Sequence, residues 1–417
     1  MGQPILEQEQ RTGSDGTGEE APWRRQIREG LEALPPELRR SLRSFRPDRQ
    51  IASLEQEGGG APLLDLASND YLGLSRHPRL REAARRSLES DGLGAGASRL
   101  VCGGRPVHHQ LEEALARWFG RERVLLFPSG FQANLAAVTA LADRRSLVLA
   151  DRLIHHSLLV GVRASGARLQ RFRHNDLADL EERLQRARRE QPGRRLLVLS
   201  ESLFSMEGTS PDVEALAALA AAHGAVLLLD EAHALGVLGP GGRGLAWGLG
   251  PVPLLSGTFG KAFGGGGAFL AADALLGEWL LQHSGSFRYT TALAPPLAAG
   301  ALAALEHLQH LEAAGSAPGA ALLQRAKRWR ERLEAAGWPR PPGQGPILPL
   351  RVGSEQRALA LQQRLEQSGL LSVAIRPPTV PPGQSRLRLV LRHDLPPGSL
   401  ERLLTALGPA PTPPHDP

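Results

Sequence analysis

Short apolar runs alternate with segments of helical spacing between about residues 120 and 270, and this pattern constrains the fold more than any other feature. Five runs read as strands, at residues 124–127, 146–150, 196–200, 226–229 and 267–271. Between them lie helical patterns such as 132–141 and 213–222. Such alternation predicts an α/β fold with a mostly parallel sheet, helices on both faces, and ligands bound beyond the carboxyl ends of the strands.

The 417 residues are enough for one large domain and a smaller one. We predict a large domain at 67–300, preceded by an N-terminal arm at 21–66, with disordered tails at 1–20 and 408–417. A smaller α+β domain is predicted at 301–407, with a helix between Ser354 and Gly369 and strands at 371–375 and 386–391. Strand alternation puts Arg386 and Arg388 on one face of the last strand.

Charge and composition narrow the possible partners and compartments. The net charge is +6, but the arginines are interleaved with acids and aromatic residues are only 4%, so no nucleic-acid partner is expected. The single Cys102 excludes an intramolecular disulfide and fits a reducing compartment. Neither a signal peptide nor an apolar run of ~20 residues is visible, so we expect a cytoplasmic protein without a membrane segment.

Lysine is rare in this chain. Of the 49 lysine and arginine residues, only Lys261 and Lys327 are lysine. A guanidinium stays protonated, whereas a primary amine can lose its proton and condense with a carbonyl group. Lys327 lies in an arginine-rich helical pattern typical of a surface. Lys261 lies in a glycine-rich stretch, 258–267, and we predict that its amine is chemically required. A surface lysine in a flexible loop is the alternative.

Lys261 follows the apolar pair Leu254-Leu255 and the turn Ser256-Gly257-Thr258, and two other strand ends carry residues suited to ligand binding. The run 124–127 continues into Ser129, Gly130 and Phe131 and then a helix, which predicts a phosphate seat at a helix N-terminus. The run 226–229 continues into Asp230-Glu231-Ala232-His233. Its Asp230 and His233 suit a cationic heteroaromatic ring, although a helix-capping Asp and a structural His are the alternative.

The same four letters, Asp-Glu-Ala-His, occur in a helicase family. A helicase also needs a phosphate loop of the form G-x-x-x-x-G-K-[ST]. The only Gly-Lys pair is Gly260-Lys261, with Leu255 where the first glycine should be and Ala262 after the lysine. The helicase function is therefore excluded. A phosphate seat, a carboxylate and a solitary lysine on successive strand ends instead predict pyridoxal 5'-phosphate (PLP) bound covalently to Lys261.

From about residue 25 to 407 the chain resembles the α-oxoamine synthases. The motifs that carry the resemblance are 68–74 (SNDYLGL), 98–101 (SRLV), 204–208 (FSMEG), 230–233 (DEAH), 258–261 (TFGK) and 289–291 (YTT). The stretch 375–381 (IRPPTVP), followed by 386–389 (RLRL), is most similar to the member that acts in biotin biosynthesis.

The resemblance implies a role for each matched residue near the cofactor. Lys261 would hold the cofactor, His155 would stack on its ring, and Asp230 would keep the pyridine nitrogen protonated. His233 and Ser205 would lie near the phenolic oxygen. Phosphate would be bound by a further set of residues, of which the last two come from a second subunit: Gly130, Phe131, Thr258, Thr290 and Thr291.

The resemblance also implies the substrates. Arg388 would hold the carboxylate of the amino acid, and Arg40 and Thr379 would face the acyl group, with Arg39 and Arg43 as competitors of Arg40. The expected reaction is a decarboxylative condensation of L-alanine with pimeloyl-CoA or pimeloyl-acyl carrier protein, in a homodimer with shared sites and no metal. The alternatives are a sister enzyme that uses glycine with acetyl- or succinyl-CoA, and a non-catalytic basic binding protein on the same scaffold.

Overall fold

The computed structural model describes residues 20–410, so the two predicted tails lie almost entirely outside the described residues. The helices of this part are α1 (Pro22–Glu32), α2 (Pro78–Asp91), α3 (Pro106–Phe119), α4 (Gly130–Leu141), α5 (His156–Ser165), α6 (Leu177–Glu190), α7 (Val213–Ala222), α8 (Ala274–His283), α9 (Gly285–Arg288), α10 (Pro295–Ala313), α11 (Pro318–Ala335), α12 (Glu355–Gln367) and α13 (Ser399–Leu407). The strands are β1 (Phe45–Pro47), β2 (Ser53–Gln56), β3 (Leu63–Asp65), β4 (Arg123–Phe127), β5 (Leu147–Asp151), β6 (Arg168–Phe172), β7 (Leu196–Glu201), β8 (Val226–Asp230), β9 (Leu254–Thr258), β10 (Ala268–Ala272), β11 (Ile347–Gly353), β12 (Leu370–Leu371), β13 (Val373–Ile375) and β14 (Ser385–Val390).

The largest sheet has seven strands in the order β4-β10-β9-β8-β7-β5-β6. Strand β10 is antiparallel to both of its neighbours, and the other adjacent pairs are parallel. The predicted α/β fold with a mostly parallel sheet is therefore confirmed. The carboxyl ends of five strands all lie at one edge of this sheet, which is where we predicted ligand binding: β4, β9, β8, β7 and β5.

Both faces of this sheet are covered, as the unbroken apolar runs of its central strands require. On β7, Leu196 and Val198 belong to one hydrophobic core, whereas Leu197 and Leu199 belong to a second core on the opposite face. All four side chains are essentially inaccessible to solvent. The central strands are thus held rigidly from both sides, and the polar residues at their ends are fixed in position.

Two smaller sheets adjoin the large one. One has the order β1-β2-β3-β12 and the other β11-β14-β13. The single strand predicted at 371–375 is wrong, because the chain changes sheets within it. Leu371 pairs with Asp65 of β3, whereas Val373 pairs with Arg388 of β14, and Ser372 lies between the two strands.

Helix α1 is amphipathic but has no buried residue within the described chain. Its side chains Trp23, Ile27 and Leu31 each remain more than half exposed. Within residues 20–410, no helix combines the length and apolar character needed to cross a bilayer.

Candidate active site

A cavity of about 210 Å³ lies at the carboxyl edge of the large sheet. It gathers residues from the ends of five strands, β4, β5, β7, β8 and β9, and the sequence had suggested the ends of β4, β8 and β9. The predicted cofactor residues that line it are Gly130, Phe131, His155, Asp230, His233, Thr258 and Lys261. Five other residues complete the lining: Asn134, Glu201, Ala232, Ser256 and Gly257.

The anion-binding end of the cavity is the turn from β4 into α4. Ser129 caps this 12-residue helix, its hydroxyl accepting a hydrogen bond from the backbone N–H of Gln132 at 3.3 Å. The Thr258 hydroxyl accepts from the Gly260 N–H at 3.1 Å and donates to the Gly267 carbonyl at 2.9 Å. A helix N-terminus carries unpaired N–H groups and partial positive charge, so this turn is suited to a phosphate group.

Lys261 begins a tight turn after β9. The N–H of Gly264 donates to the Lys261 carbonyl at 2.9 Å, and Gly264 has φ +63°. A Cβ at position 264 would lie 2.3 Å from the backbone nitrogen of Ser75, so only glycine fits there. Burial lowers the pKa of Lys261 to about 8, against the attraction of Asp230 and Glu201. The amine is therefore available as a base or nucleophile near neutral pH.

Asp230 is held at the end of β8 and is only 7% exposed. Its Oδ1 accepts from the N–H of Ala232 at 2.9 Å, and its Oδ2 accepts from Nδ2 of Asn134 at 2.7 Å. No helix follows Asp230 directly in the described chain, so the helix-capping alternative does not apply. The carboxylate is instead fixed at the cavity wall, where it can pair with a ligand cation.

His233 contacts Tyr71, whose hydroxyl lies 2.5 Å from its Nδ1. Burial lowers the pKa of His233 well below its usual value, and the positive charges of Lys261 and Arg388 lower it further. Burial raises the pKa of Tyr71, so its hydroxyl remains a donor. The Tyr71 hydroxyl lies 2.5 Å from Nδ1 but 3.4 Å from Asn69 Oδ1, so we assign its proton to the bond with Nδ1, which leaves the imidazole proton on Nε2.

His155 is the N-cap of α5 and lies beside a buried acid, Glu201. The backbone N–H of His155 donates to Glu201 Oε1 at 2.5 Å. Burial, followed by the negative charge of Asp230, raises the pKa of Glu201 well above its usual value. Burial also lowers the pKa of His155, against the negative charge of Asp230, which raises it, and the charges of Lys261 and His156 lower it further. Near neutral pH the imidazole of His155 is therefore uncharged.

Arg388 and Ser205 meet beside this cavity without lining it. The Arg388 Nε donates to the Ser205 carbonyl at 2.7 Å, and its Nη2 donates to Asn69 Oδ1 at 2.8 Å. Arg386 reaches the next part of the same loop, the Met206 carbonyl, at 3.1 Å. The prediction that these two arginines share a face is therefore confirmed, and it is the Ser205 carbonyl that contacts Arg388.

Arg40 and Thr379 lie together in a separate cavity of about 680 Å³. The two competitors of Arg40 also line it but have partners of their own. Arg43 forms an ion pair with Glu366 at 2.7 Å, and Arg39 donates to the Leu34 carbonyl at 3.1 Å. Arg40 donates to the Pro377 carbonyl at 3.0 Å and has no acidic partner among the described residues.

Thr290 and Thr291 do not line the cofactor cavity of their own chain. The Thr290 hydroxyl accepts from Nε2 of Gln132, in the first turn of α4, at 3.2 Å, and Thr291 is exposed.

Three residues contribute to the site but were not predicted. Asn134 and Glu201 line the cavity, and the hydroxyl of Ser157 accepts a hydrogen bond from Nδ2 of Asn134 at 3.0 Å. Glu201 had a detectable signal, because it follows the run 196–200 as Asp230 follows 226–229. Asn134 was detectable only as a polar residue within the apolar helix pattern 132–141. Ser157 had no signal of its own.

Known proteins resemble this chain in sequence and structure. A family model described as aminotransferase class I and II matches residues 61–407. The 8-amino-7-oxononanoate synthase of Gluconacetobacter diazotrophicus is 46% identical over 355 residues, covering 84% of this chain and 88% of the relative. The serine palmitoyltransferase of S. paucimobilis, solved with bound PLP and myriocin, has a TM-score of 0.82 at 26% identity and covers 92% of this chain and 95% of its own. An 8-amino-7-oxononanoate synthase from Francisella tularensis has a TM-score of 0.70 at 27% identity, with 83% and 96% covered.

Proposed function

The chain belongs to the class I and II aminotransferase family, and on that basis we propose that it acts as a PLP-dependent 8-amino-7-oxononanoate synthase. It condenses L-alanine with a pimeloyl thioester and releases carbon dioxide and the free thiol. One structural observation supports this most strongly. A half-buried amine, a fixed carboxylate and an uncharged imidazole, from Lys261, Asp230 and His155, line a single cavity at the sheet edge.

The chemistry of these residues fits PLP. The N-terminus of α4 with Thr258 suits the phosphate, and Asp230 suits a protonated pyridine nitrogen. The Nε2–H of His233 suits an anionic phenolic oxygen, and the amine of Lys261 suits the aldehyde. Asp230 also accepts a hydrogen bond on each of its oxygens, which fixes the orientation of the carboxylate beside a cation.

Bound PLP supplies an electron sink for the carbanion that forms at Cα of alanine. Lys261 takes the proton from that carbon, for which an amine with a pKa near neutrality is suited. Asp230 would pair with the protonated pyridine nitrogen and keep the ring cationic, so that the ring can accept the electrons of the carbanion. His155 bounds one side of the cavity and restricts how alanine can be oriented.

The two arginine sites suit the two substrates. Arg388 is 7% exposed and is oriented by Asn69 and the Ser205 carbonyl, so its remaining donors can hold the alanine carboxylate. Arg40 lies at the larger cavity with Thr379, where a cation without an acidic partner in the described chain suits the acyl substrate.

The active form is a homodimer with shared sites. The apolar face of α1 is uncovered within the described chain, and Phe131 beside the phosphate seat is 42% exposed. Thr290 and Thr291 lie outside the cavity of their own chain, so in this proposal they reach the phosphate group of the partner.

The test is to incubate purified protein and PLP with L-alanine and pimeloyl-CoA and to identify the product by mass. The expected product is 8-amino-7-oxononanoate, with one carbon dioxide and one CoA released per turnover. Parallel reactions replace alanine with glycine, and pimeloyl-CoA with acetyl-CoA, succinyl-CoA or a pimeloyl-acyl carrier protein. Turnover with glycine and no turnover with alanine would favour the sister enzyme, and no product in any reaction would favour the non-catalytic protein.

A further inference from the structure

A continuous chain of hydrogen bonds joins Asp230 to His155 behind the cavity wall. Nδ2 of Asn134 lies 2.7 Å from Asp230 Oδ2 and 3.0 Å from the hydroxyl of Ser157. The Ser157 hydroxyl lies 2.8 Å from Nδ1 of His155. Asn134 is 3% exposed and Ser157 is inaccessible, so the two bonds of Asn134 are shielded from water, whereas His155 at the end of the chain is exposed. Residues from α4, α5 and the end of β8 are thereby connected.

The donor and the acceptor of each hydrogen bond follow from the chemistry of the groups involved. An ionised carboxylate only accepts, so the amide of Asn134 must present its NH₂ group to Asp230. The second proton of that NH₂ group points to the Ser157 oxygen. With its oxygen accepting from Asn134, Ser157 donates its own proton to His155 Nδ1.

The backbone supports the same direction independently. The N–H of Ser157 also points at Nδ1 of His155, at 3.3 Å, and a backbone N–H can only donate. Nδ1 therefore receives two donors and is the unprotonated nitrogen of the ring. On the other side of the amide, Oδ1 of Asn134 is buried and has no hydrogen-bond partner among the described residues. An unpaired buried oxygen lowers the stability of the fold, so the structural contribution of this amide comes from the two hydrogen bonds that its NH₂ group donates.

We propose that Asn134 and Ser157 are positioning residues that connect Asp230 to His155 and fix the ring proton of His155 on Nε2. The relay presents the same tautomer of His155 to every ligand that enters the cavity, and it connects that tautomer to the carboxylate of Asp230. It rests on the proposed function for its use in catalysis, but the relay itself belongs to the cofactor-free protein. The titratable groups that face His155 are Asp230, Lys261, His156 and Glu201.

The test is ¹⁵N NMR of cofactor-free protein labelled at histidine, with the His155 signals assigned from a His155→Gln variant. The unmodified protein should show two widely separated ring-nitrogen signals, as one fixed tautomer gives. Ser157→Ala removes the hydroxyl, and Asn134→Ala removes the group that orients it. In both variants the two signals should move toward each other as the tautomers mix. The double variant should change little beyond Ser157→Ala, because the effects of coupled residues are not additive.

Ser87→Ala is the matched control. Ser87 is also buried on a helix and donates to a carboxylate, that of Asp91 at 2.9 Å, but it lies outside the relay. It should leave the His155 signals unchanged. If Ser157→Ala and Asn134→Ala also leave them unchanged in folded protein, the relay does not set the tautomer and the proposal is wrong.

A second readout uses the PLP-loaded protein. The pH at which the visible absorbance of the bound cofactor changes should shift in Ser157→Ala and Asn134→Ala but not in Ser87→Ala. The two proposals fail separately. A fixed His155 tautomer without product formation would contradict the proposed reaction, whereas product formation with freely mixing tautomers in the unmodified protein would contradict the relay.

Discussion

Lys261→Met should make the cofactor-free protein more stable, because the lysine is buried at a cost. Its pKa falls from 10.5 to about 8 in the folded protein. A shift of this size corresponds to roughly 3 kcal/mol between its charged and neutral forms. Methionine has a similar length and no charge, so the free energy of unfolding of Lys261→Met at pH 7 should exceed that of the unmodified protein by about 3 kcal/mol.

The effect should depend on pH with a definite sign. Below about pH 8 the lysine is protonated in both states, so the cost is fully present. Between pH 8 and 10.5 the unfolded chain binds more protons than the folded one, so the stability of the unmodified protein rises with pH. The advantage of Lys261→Met should therefore fall to about 1 kcal/mol at pH 10.

Urea unfolding of cofactor-free protein at pH 7 and pH 10, at one protomer concentration, measures this difference. Lys327→Met is the matched control, since Lys327 is the other lysine of the chain and is exposed. It should change stability by no more than about 0.5 kcal/mol at either pH. If Lys261→Met is no more stable than the unmodified protein at pH 7, the amine is not buried at a cost and its lowered pKa is wrong.

Three further experiments, two with substitutions and one on the unmodified protein, test other parts of the site. Asp230→Asn should lower kcat by a factor of about 10²–10³, because the negative charge is lost and an amide oxygen can accept only one of the two hydrogen bonds from Ala232 and Asn134. Near-normal turnover at unchanged cofactor content would contradict the role of Asp230 at the pyridine nitrogen. Tyr71→Phe should mix the tautomers of His233 in ¹⁵N NMR and lower turnover, whereas Tyr289→Phe, at the other and exposed tyrosine, should not alter the His233 signals. Light scattering at low micromolar concentration should show a dimer, and an active monomer would exclude shared sites.

The fold was predictable where local pattern and tertiary environment agree. The apolar runs on β4, β7 and β8 are buried on both faces, so their sequences identified them within one residue. Strand β6 was missed because Arg168, Gln170 and Arg171 interrupt its apolar pattern, as an edge strand permits. The change of sheets at Ser372 could not be predicted, since it depends on partners far away in sequence.

The site was predictable to the extent that it lies at strand ends. Lys261, Asp230 and the turn at Gly130 could be placed from chain order and residue chemistry alone. The contacts that orient them could not, because they join distant segments. Tyr71 and His233 are 162 residues apart, and Asn134 and Asp230 are 96 residues apart. No local sequence pattern predicts that the side-chain amide of Asn134, on a helix, contacts the carboxylate of Asp230, at the end of a strand.

Chemical labelling of the cofactor lysine tests the central claim most directly. PLP-loaded protein is reduced with borohydride, digested, and its peptides are mapped by mass spectrometry. The chain has two lysines, so the result is a choice between the half-buried Lys261 and the exposed Lys327, and a Lys327→Arg variant should be labelled like the unmodified protein. We predict one phosphopyridoxyl group per chain, on the peptide that contains Lys261. A label on the Lys327 peptide, or on neither, would contradict the assignment of this cavity as the active site.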